Sequence, residues 1–250
     1  MKRRVLFLFL GLILLVAFIV VSVAYASEQR KKATCTGVDV FFKEDVQYIP
    51  TNEIENIVYN SVSGLKTCKL STLNTEKIEA NIEKHPWVKN AEVFIGYQRQ
   101  DRNFFAGRLK VWIKQREPLF RVMTSDSGYY VDKDGDKMPF SSVNTANVVV
   151  CSGRITNEII KGELKDFINY INKDRFWKAQ IEQIFVKGNG EYILVPRLGG
   201  HLIELGNLEN LDKKFRNLMA LYEKGFENGG WEKYRKVSVK FDNQIVCTRK

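Results

Sequence analysis

The chain begins with its longest apolar stretch. After Met1 and three basic residues, positions 5–26 carry no charged side chain. As a helix, this stretch would measure roughly 33 Å at about 1.5 Å per residue, which is enough to cross a bilayer. No later stretch is apolar for that long, so the pattern predicts a single transmembrane helix at 5–26 behind a short basic tail, 1–4.

The apolar stretch has two alternative fates. Ala24-Tyr25-Ala26 before Ser27 has the small-residue pattern of a signal-peptidase site. A secretory apolar region is usually only about 7–15 residues long, however, and this one is longer, which favours a retained anchor. Either fate places the bulk of the chain outside the cytoplasm. With the anchor retained, the basic tail is predicted to be cytoplasmic, although basic residues also follow the span and weaken that argument.

A small α+β domain is predicted after a charged linker at 27–34. A strand with period-two alternation comes first, and Pro50 then introduces a helix that Asn52 is expected to cap. A second helix begins near Asn74, and two alternating strands follow it. This strand–helix–helix–strand–strand order occupies about 80 residues, a normal size for a small domain. Its predicted core positions are Val38, Val40, Phe42, Ile54, Ile57, Val58, Val62, Ile78, Ile82, Ala91, Val93, Ile95, Leu109, Val111 and Ile113.

The second half of the chain is richer in strands. Short β segments alternate with turn signals such as Asp134-Gly135, and amphipathic helices are predicted at 157–172 and around 211–222. The chain closes on one long predicted strand, 236–248. The fold class is therefore α+β, with an N-terminal transmembrane helix, a small β-α-α-β-β domain and a mixed β-rich domain with flanking helices. The shorter predicted strands are 120–124, 128–132, 148–151, 181–187, 192–196 and 201–205.

The positive net charge does not indicate a nucleic-acid partner. Of the formal charge of +10, residues 1–34 contribute +5, and the other 216 residues share the remaining +5 among many acids. Such a balance is typical of an ordinary solvated surface. Zinc-finger, RNP and basic-helix patterns are absent from the sequence.

The four cysteines are too far apart in sequence for a CxxC metal or redox motif. In an oxidising compartment they allow three disulfide pairings. The domain division favours Cys35 with Cys68 and, secondarily, Cys151 with Cys247. The alternative is that all four are small buried side chains.

Candidate catalytic chemistry is scarce. The segment 132–137, DKDGDK, resembles the start of a calcium loop, but Lys137 and Val143 occupy the positions that need glycine and a bidentate glutamate. The two histidines, His85 and His201, fall in different predicted domains. Hydrolase, metalloprotease and nucleotide-binding motifs are missing. The sequence therefore predicts no catalytic residue, no metal, no cofactor and no small-molecule substrate.

Three segments resemble one family in the right order. IEANIEKHPWVKNAEVFI (78–95) carries the pattern of a POTRA domain, LKVWIKQREPLFRV (109–122) matches an L-x-V-x-I-x-Q-R-x-P-x-x-R run, and GYYVDKDGDKMP (128–139) matches Y-Y-V-D-x-x-G-x-x-M-P. The last two are segments of FtsQ/DivIB bacterial cell-division proteins. The resemblance implies a POTRA domain at 35–116 and a β domain at 117–250. Arg116 and Arg121 flank this junction, where a structural role is expected, with bonds to backbone carbonyls or to Glu117.

In that family, the last strand of the β domain receives the partner FtsB. Aligning VSVKFDNQIV (237–246) with that strand implies that Lys240, Phe241 and Asn243 contact the partner. The family often has arginine then tyrosine where this chain has Lys240 and Phe241, a departure that removes bidentate pairing and the phenol hydroxyl. For Phe241 the alternative is a core position beside Val237 and Val239.

The resemblance thus implies a non-enzymatic, single-span scaffold of the divisome. It would sit in the inner membrane with its bulk in the periplasm and recruit FtsB/FtsL-type proteins to the septum. Two alternatives are another POTRA-bearing envelope protein for protein transport or assembly, and a secreted enzyme acting on the cell wall. Against the first, the sequence has neither several POTRA units nor a long barrel segment.

Overall fold

The computed structural model describes residues 2–101, 104–241 and 244–250. The chain divides into two compact units, Met1–Gln115 and Arg116–Lys250. Both combine helices with β-sheet, which confirms the predicted α+β class.

Helix α1 (Lys2–Lys32) contains the apolar stretch. Its segment Leu10–Glu28 is long and apolar enough to cross a membrane, and none of that segment is buried inside the protein. The helix continues to Lys32, so most of the predicted linker 27–34 is helical. Good helix formers and the absence of glycine and proline from 27–32 explain this continuation.

The first unit has the predicted strand–helix–helix–strand–strand order. Strands β1 (Thr34–Phe42), β2 (Val88–Asp101) and β3 (Phe104–Gln115) form a sheet of order β1-β3-β2, with β1 parallel and β2 antiparallel to β3. Helices α2 (Thr51–Ser61) and α3 (Thr75–Ile82) follow β1, with short 3-10 turns at Leu65–Thr67 and Leu70–Thr72 between them. The core positions that are fully buried include Val38, Ile54, Val58, Ile78, Ile82, Val93, Leu109, Val111 and Ile113.

The two helix starts differ from each other. Helix α3 begins where predicted, and Asn74 caps it, because its side chain accepts a hydrogen bond from the Lys77 amide. The predicted cap at Asn52 is wrong: α2 begins at Thr51, Pro50 takes the cap position, and no side chain caps it. Proline has its φ already set near −65°, so it can lead directly into a helix.

The second unit is built on a nine-stranded mixed sheet of order β12-β11-β10-β9-β8-β7-β4-β5-β6. The pairs β4–β7, β7–β8 and β10–β11 are parallel, and the other pairs are antiparallel. The strands are β4 (Pro118–Met123), β5 (Gly128–Asp132), β6 (Lys137–Met138), β7 (Val149–Gly153), β8 (Ile181–Val186), β9 (Tyr192–Pro196), β10 (Leu202–Gly206), β11 (Tyr234–Ser238) and β12 (Val246–Arg249).

Helices pack on one face of this sheet. The predicted helix 157–172 is realised as α4 (Asn157–Ile159), a π segment (Ile160–Leu164) and α5 (Lys165–Lys173), followed by α6 (Arg175–Gln180). Helix α7 (Leu211–Ala220) leads into a second π segment (Leu221–Gly225) and a 3-10 helix (Glu227–Lys233). Their apolar sides share a core with alternate residues of the strands, including Phe120, Phe167, Ile184, Leu194, Ile203, Phe215, Leu218 and Val237.

The predicted terminal strand 236–248 is wrong in one respect. The chain reverses inside it, so β11 and β12 form an antiparallel hairpin in which Ser238 lies opposite Val246. A period-two pattern of apolar residues carries no information about where the chain reverses its direction. The local signal was the pair Asp242-Asn243, residue types that are depleted in strands and favoured in turns.

Candidate partner-binding edge

The hairpin leaves β12 at the end of the large sheet. β11 lies between β10 and β12, with Val237 opposite Ile203 on one side and Cys247 on the other. Within the described part of the chain, β12 has β11 as its sole strand neighbour. An edge strand of this kind presents backbone N–H and C=O groups to which an extended segment can pair.

The direction of these backbone groups follows from one hydrogen bond. The Lys250 N–H donates inward to the Lys233 carbonyl at 3.1 Å. Because these directions alternate along an antiparallel strand, the N–H and C=O groups of Arg249 and Cys247 point to the unpaired side. Val246, at the start of β12, is 43% exposed.

Lys240 lies in the connection between β11 and β12. Its aliphatic stem covers Gly206, where an added Cβ would lie 2.9 Å from Lys240 Cγ, and Gly206 has a φ of +77°. The Lys240 ammonium forms an ion pair with Glu191, and Lys187 Nζ holds the other carboxylate oxygen of Glu191 at 3.2 Å. Two cations therefore share one carboxylate at the end of the sheet where β8 and β9 are joined.

Glu191 and Lys240 shift each other's pKa in opposite directions. Hydrogen bonds from Lys240 and then Lys187 and Asn189 lower the pKa of Glu191 to about 2. The same hydrogen bond to Glu191 raises the pKa of Lys240. Because Lys240 is already paired, an acidic partner would have to displace Glu191 or join the cluster beside its two cations.

Phe241 follows Lys240 on the surface. It is 51% exposed, whereas Val237 and Val239 are buried. The alternative placement of Phe241 in the core is therefore wrong, because the chain has left the strand before position 241. Asn243 lies outside the described residues.

A buried histidine packs behind this edge. The His201 ring is 1% exposed, and its Nε2 lies 2.9 Å from the Tyr222 hydroxyl, which also accepts a hydrogen bond from Gln180. Burial, and secondarily the charge of Lys250, lower the pKa of His201. Both effects favour the neutral form of the ring.

The aspartates of DKDGDK make hydrogen bonds and ion pairs that stabilise the turn between β5 and β6. Asp132 Oδ1 accepts hydrogen bonds from the amides of Asp134 and Asp136, both at 2.9 Å, and Arg116 Nη1 lies 2.7 Å from Asp132 Oδ2. Arg116 therefore pairs with Asp132 rather than with Glu117, which pairs with Lys133 instead. No group of three or more metal-ligating side chains occurs in the part of the chain that the structure describes.

No disulfide joins the four cysteines in this structure. The Cys35 N–H donates to the Cys68 carbonyl at 3.2 Å, so the two residues lie on adjacent backbone segments, and their pairing stays a prediction. The secondary pairing of Cys151 with Cys247 is wrong. Cys151 is in β7 and Cys247 in β12, five strand spacings apart, or about 24 Å, far beyond the roughly 7 Å that a disulfide allows.

Two family models match the chain. The model described as FtsQ/DivIB, C-terminal related, matches residues 117–248, more than half of the sequence. The chain belongs to the FtsQ/DivIB family. A model for a POTRA-like domain matches residues 33–100 of the first unit. No curated protein matches the chain.

Membership of the FtsQ/DivIB family makes this a cell-division protein that interacts with other divisome proteins. With its one N-terminal apolar helix, it is a single-pass membrane protein. The sequence missed Glu191, Lys187 and Gly206 as neighbours of Lys240. These residues lie at the ends of three other strands, β8, β9 and β10, and carry no local signal, because only the folded sheet brings them close to Lys240.

Proposed function

We propose that this FtsQ/DivIB protein is a non-enzymatic scaffold that recruits an FtsB/FtsL-type pair to the septum through the edge of β12. The observation that supports this most directly is the unpaired outer side of β12 beside the exposed Phe241. An extended partner segment would add a strand there, using the outward groups of Cys247 and Arg249.

The side chains near the edge would give this pairing its specificity. Phe241 offers a half-exposed aromatic anchor, and aromatic side chains dominate many interfaces. Lys240 would attract an acidic partner residue, with Glu191 as the internal competitor for its ammonium group. A partner acid would therefore affect association rate and specificity more than total affinity.

The membrane helix would hold this edge at the correct side of the inner membrane. Lys2, Arg3 and Arg4 favour a cytoplasmic N-terminus under the positive-inside rule. Both folded units would then lie in the periplasm, where the POTRA domain docks neighbouring division proteins. Mass spectrometry of the mature N-terminus tests the anchor: retention of residues 1–26 is expected, and their loss would favour the secreted alternative.

The edge itself is tested by removing one outward hydrogen-bond donor. Arg249→Pro deletes an N–H that no strand uses within the described residues, so the fold is expected to tolerate it. Arg249→Ala is the matched control, because it loses the same side chain but keeps the N–H. We expect Arg249→Pro to lose co-purification with the FtsB/FtsL pair and Arg249→Ala to retain it.

The cellular test is depletion of the protein in its host. The proposal predicts filamentous cells and loss of partner recruitment to midcell. Restoration by the wild-type chain but not by Arg249→Pro would connect the phenotype to the β12 edge. Normal septation after depletion would refute the proposed role, and equal co-purification of both Arg249 variants would refute the strand-addition mechanism.

A further inference from the structure

A second surface of the β domain lies away from β12. Strands β4, β7 and β8 are mutually parallel, so all three begin at the same end of the sheet. The crossover from β7 to β8 brings α5 and α6 back to that end. Residues of these elements line an open groove of about 680 Å³, which we call the β4–β7–β8 groove.

The floor of the groove is apolar. Leu119 of β4, Val149 of β7, Ile171 of α5 and Ile181 of β8 all line it, together with Val148 and Val150. Leu119, Ile171 and Ile181 are buried in the core of the second unit and support the floor, and the half-buried Val148, Val149 and Val150 provide its accessible apolar surface. A rigid floor of this kind can bind apolar side chains without reorganisation.

The walls of the groove are basic. Arg121, Arg175, Lys178 and Arg197 line it, and none of the four forms an ion pair among the described residues. The acids in the lining are Glu182 and Glu117, and Glu117 is paired with Lys133. The groove therefore has an excess of uncompensated positive charge.

Arg121 adds an independent observation. Its Nε is buried and has no hydrogen-bond partner among the residues that the structure describes, while its guanidinium carbon lies 4.4 Å from the centre of the Phe140 ring. An unsatisfied buried N–H carries a desolvation cost, which a ligand that accepts its hydrogen bond would recover. Arginine has a planar fork of donors that fits a carboxylate well.

We propose that the β4–β7–β8 groove binds an acidic, amphipathic segment of a partner protein. Carboxylates of the segment would pair with the basic walls, and its apolar side chains would cover the floor. A free anion or a sugar would leave the apolar floor uncovered, so a peptide fits the lining better. β8 lies four strand spacings from β12, about 19 Å, so this surface is separate from the proposed FtsB edge.

The test uses the full chain in detergent and fluorescence anisotropy. The probe is a labelled peptide of about ten residues that alternates glutamate and leucine, long enough to cross the groove at roughly 3.3 Å per residue. Two comparison peptides replace the glutamates with lysine or the leucines with serine. We expect saturable binding of the first peptide, no binding of the lysine peptide, and at least about tenfold weaker binding of the serine peptide.

Matched charge reversals locate the site. Arg175→Glu with Arg197→Glu should weaken the glutamate–leucine peptide by at least about tenfold, and added salt should weaken wild-type binding. Lys161→Glu with Lys224→Glu changes the net charge equally at exposed positions outside the groove, and it should alter binding by less than about twofold. All four positions are exposed, and circular dichroism checks that both double variants remain folded.

Several results would overturn the proposal. They are no saturable binding of the glutamate–leucine peptide, equal loss in both double variants, or displacement of the peptide by inorganic phosphate. Binding of anionic vesicles that depends on Arg175 and Arg197, without peptide binding, would assign the groove to lipid instead. Phe241→Ala should leave peptide binding unchanged, so failure here is distinguishable from failure of the proposed FtsB edge.

Discussion

The exposed ring of Phe241 allows a quantitative prediction for partner binding. A phenylalanine side chain can bury about 150–250 Å². Since Phe241 is 51% exposed in the free protein, about 100 Å² remains for a partner to cover. At about 25 cal/mol per Å², and allowing for the Cβ that alanine keeps, Phe241→Ala should cost about 2 kcal/mol of binding free energy. That corresponds to roughly thirtyfold in Kd.

The assay is calorimetric titration of the full chain in detergent with the β-strand segment of the host's FtsB-type protein. Phe185→Ala is the matched control, because Phe185 is 42% exposed on β8, four strand spacings from β12. That variant should change Kd by less than about twofold. Both variants should unfold at nearly the wild-type temperature, since each ring is already about half in water.

One pattern of results would refute the reasoning. If Phe241→Ala and Phe185→Ala change Kd by the same small factor, Phe241 does not enter the interface. A large loss in both variants would instead place the partner on the sheet face that carries Phe185.

Three further predictions concern ionisable residues of the second unit. The lowered pKa of Glu191 adds stability that is complete above its ordinary value of 4.5 and is lost as pH falls towards about 2. The free energy of unfolding of Glu191→Gln should therefore vary less with pH between these values than that of the wild type, and an equal pH dependence would contradict this assignment. Asp132 is 2% exposed, so Asp132→Ala, which removes the buried acceptor of two amides and one of the two carboxylates that pair with Arg116, should lower the free energy of unfolding by about 1–3 kcal/mol in urea titrations, with a smaller loss for Asp132→Asn; equal losses would contradict a charge-based role. Burial lowers the pKa of His201, so the unfolded state binds its proton more readily, and stability should fall as pH drops below about 6.5; His201→Phe should remove that part of the slope, and an unchanged slope would contradict this assignment.

Local patterns were sufficient for most of the elements. Period-two alternation predicted the strands of both units, and helical periodicity predicted the helices, because burying one face of each element needs only a repeat in the sequence. Two predictions failed for local reasons. Asn52 is a residue type that caps helices, but it lies inside α2, which already begins at Thr51. Residues 236–248 keep their alternation of apolar and polar positions although the chain reverses direction between β11 and β12.

The candidate site was only partly accessible to this reasoning. The family motifs pointed to Lys240 and Phe241, and their place in the connection next to an edge strand became clear from the sheet order. The pairing of Lys240 with Glu191 joins residues about fifty positions apart. No repeat or motif encodes such a contact, since it depends on how the strands are ordered in the sheet.

By itself, the sequence determined the apolar N-terminal helix, the α+β class, the order of elements in the first unit and the family. These properties depend on composition, periodicity and short motifs, which are complete within a few dozen residues. Only the tertiary structure decided which strand ends the large sheet, that Phe241 is exposed, and that four basic residues from three separate segments meet in one groove. Strand order and long-range register arise from packing the whole core, and neighbouring residues in sequence do not specify them.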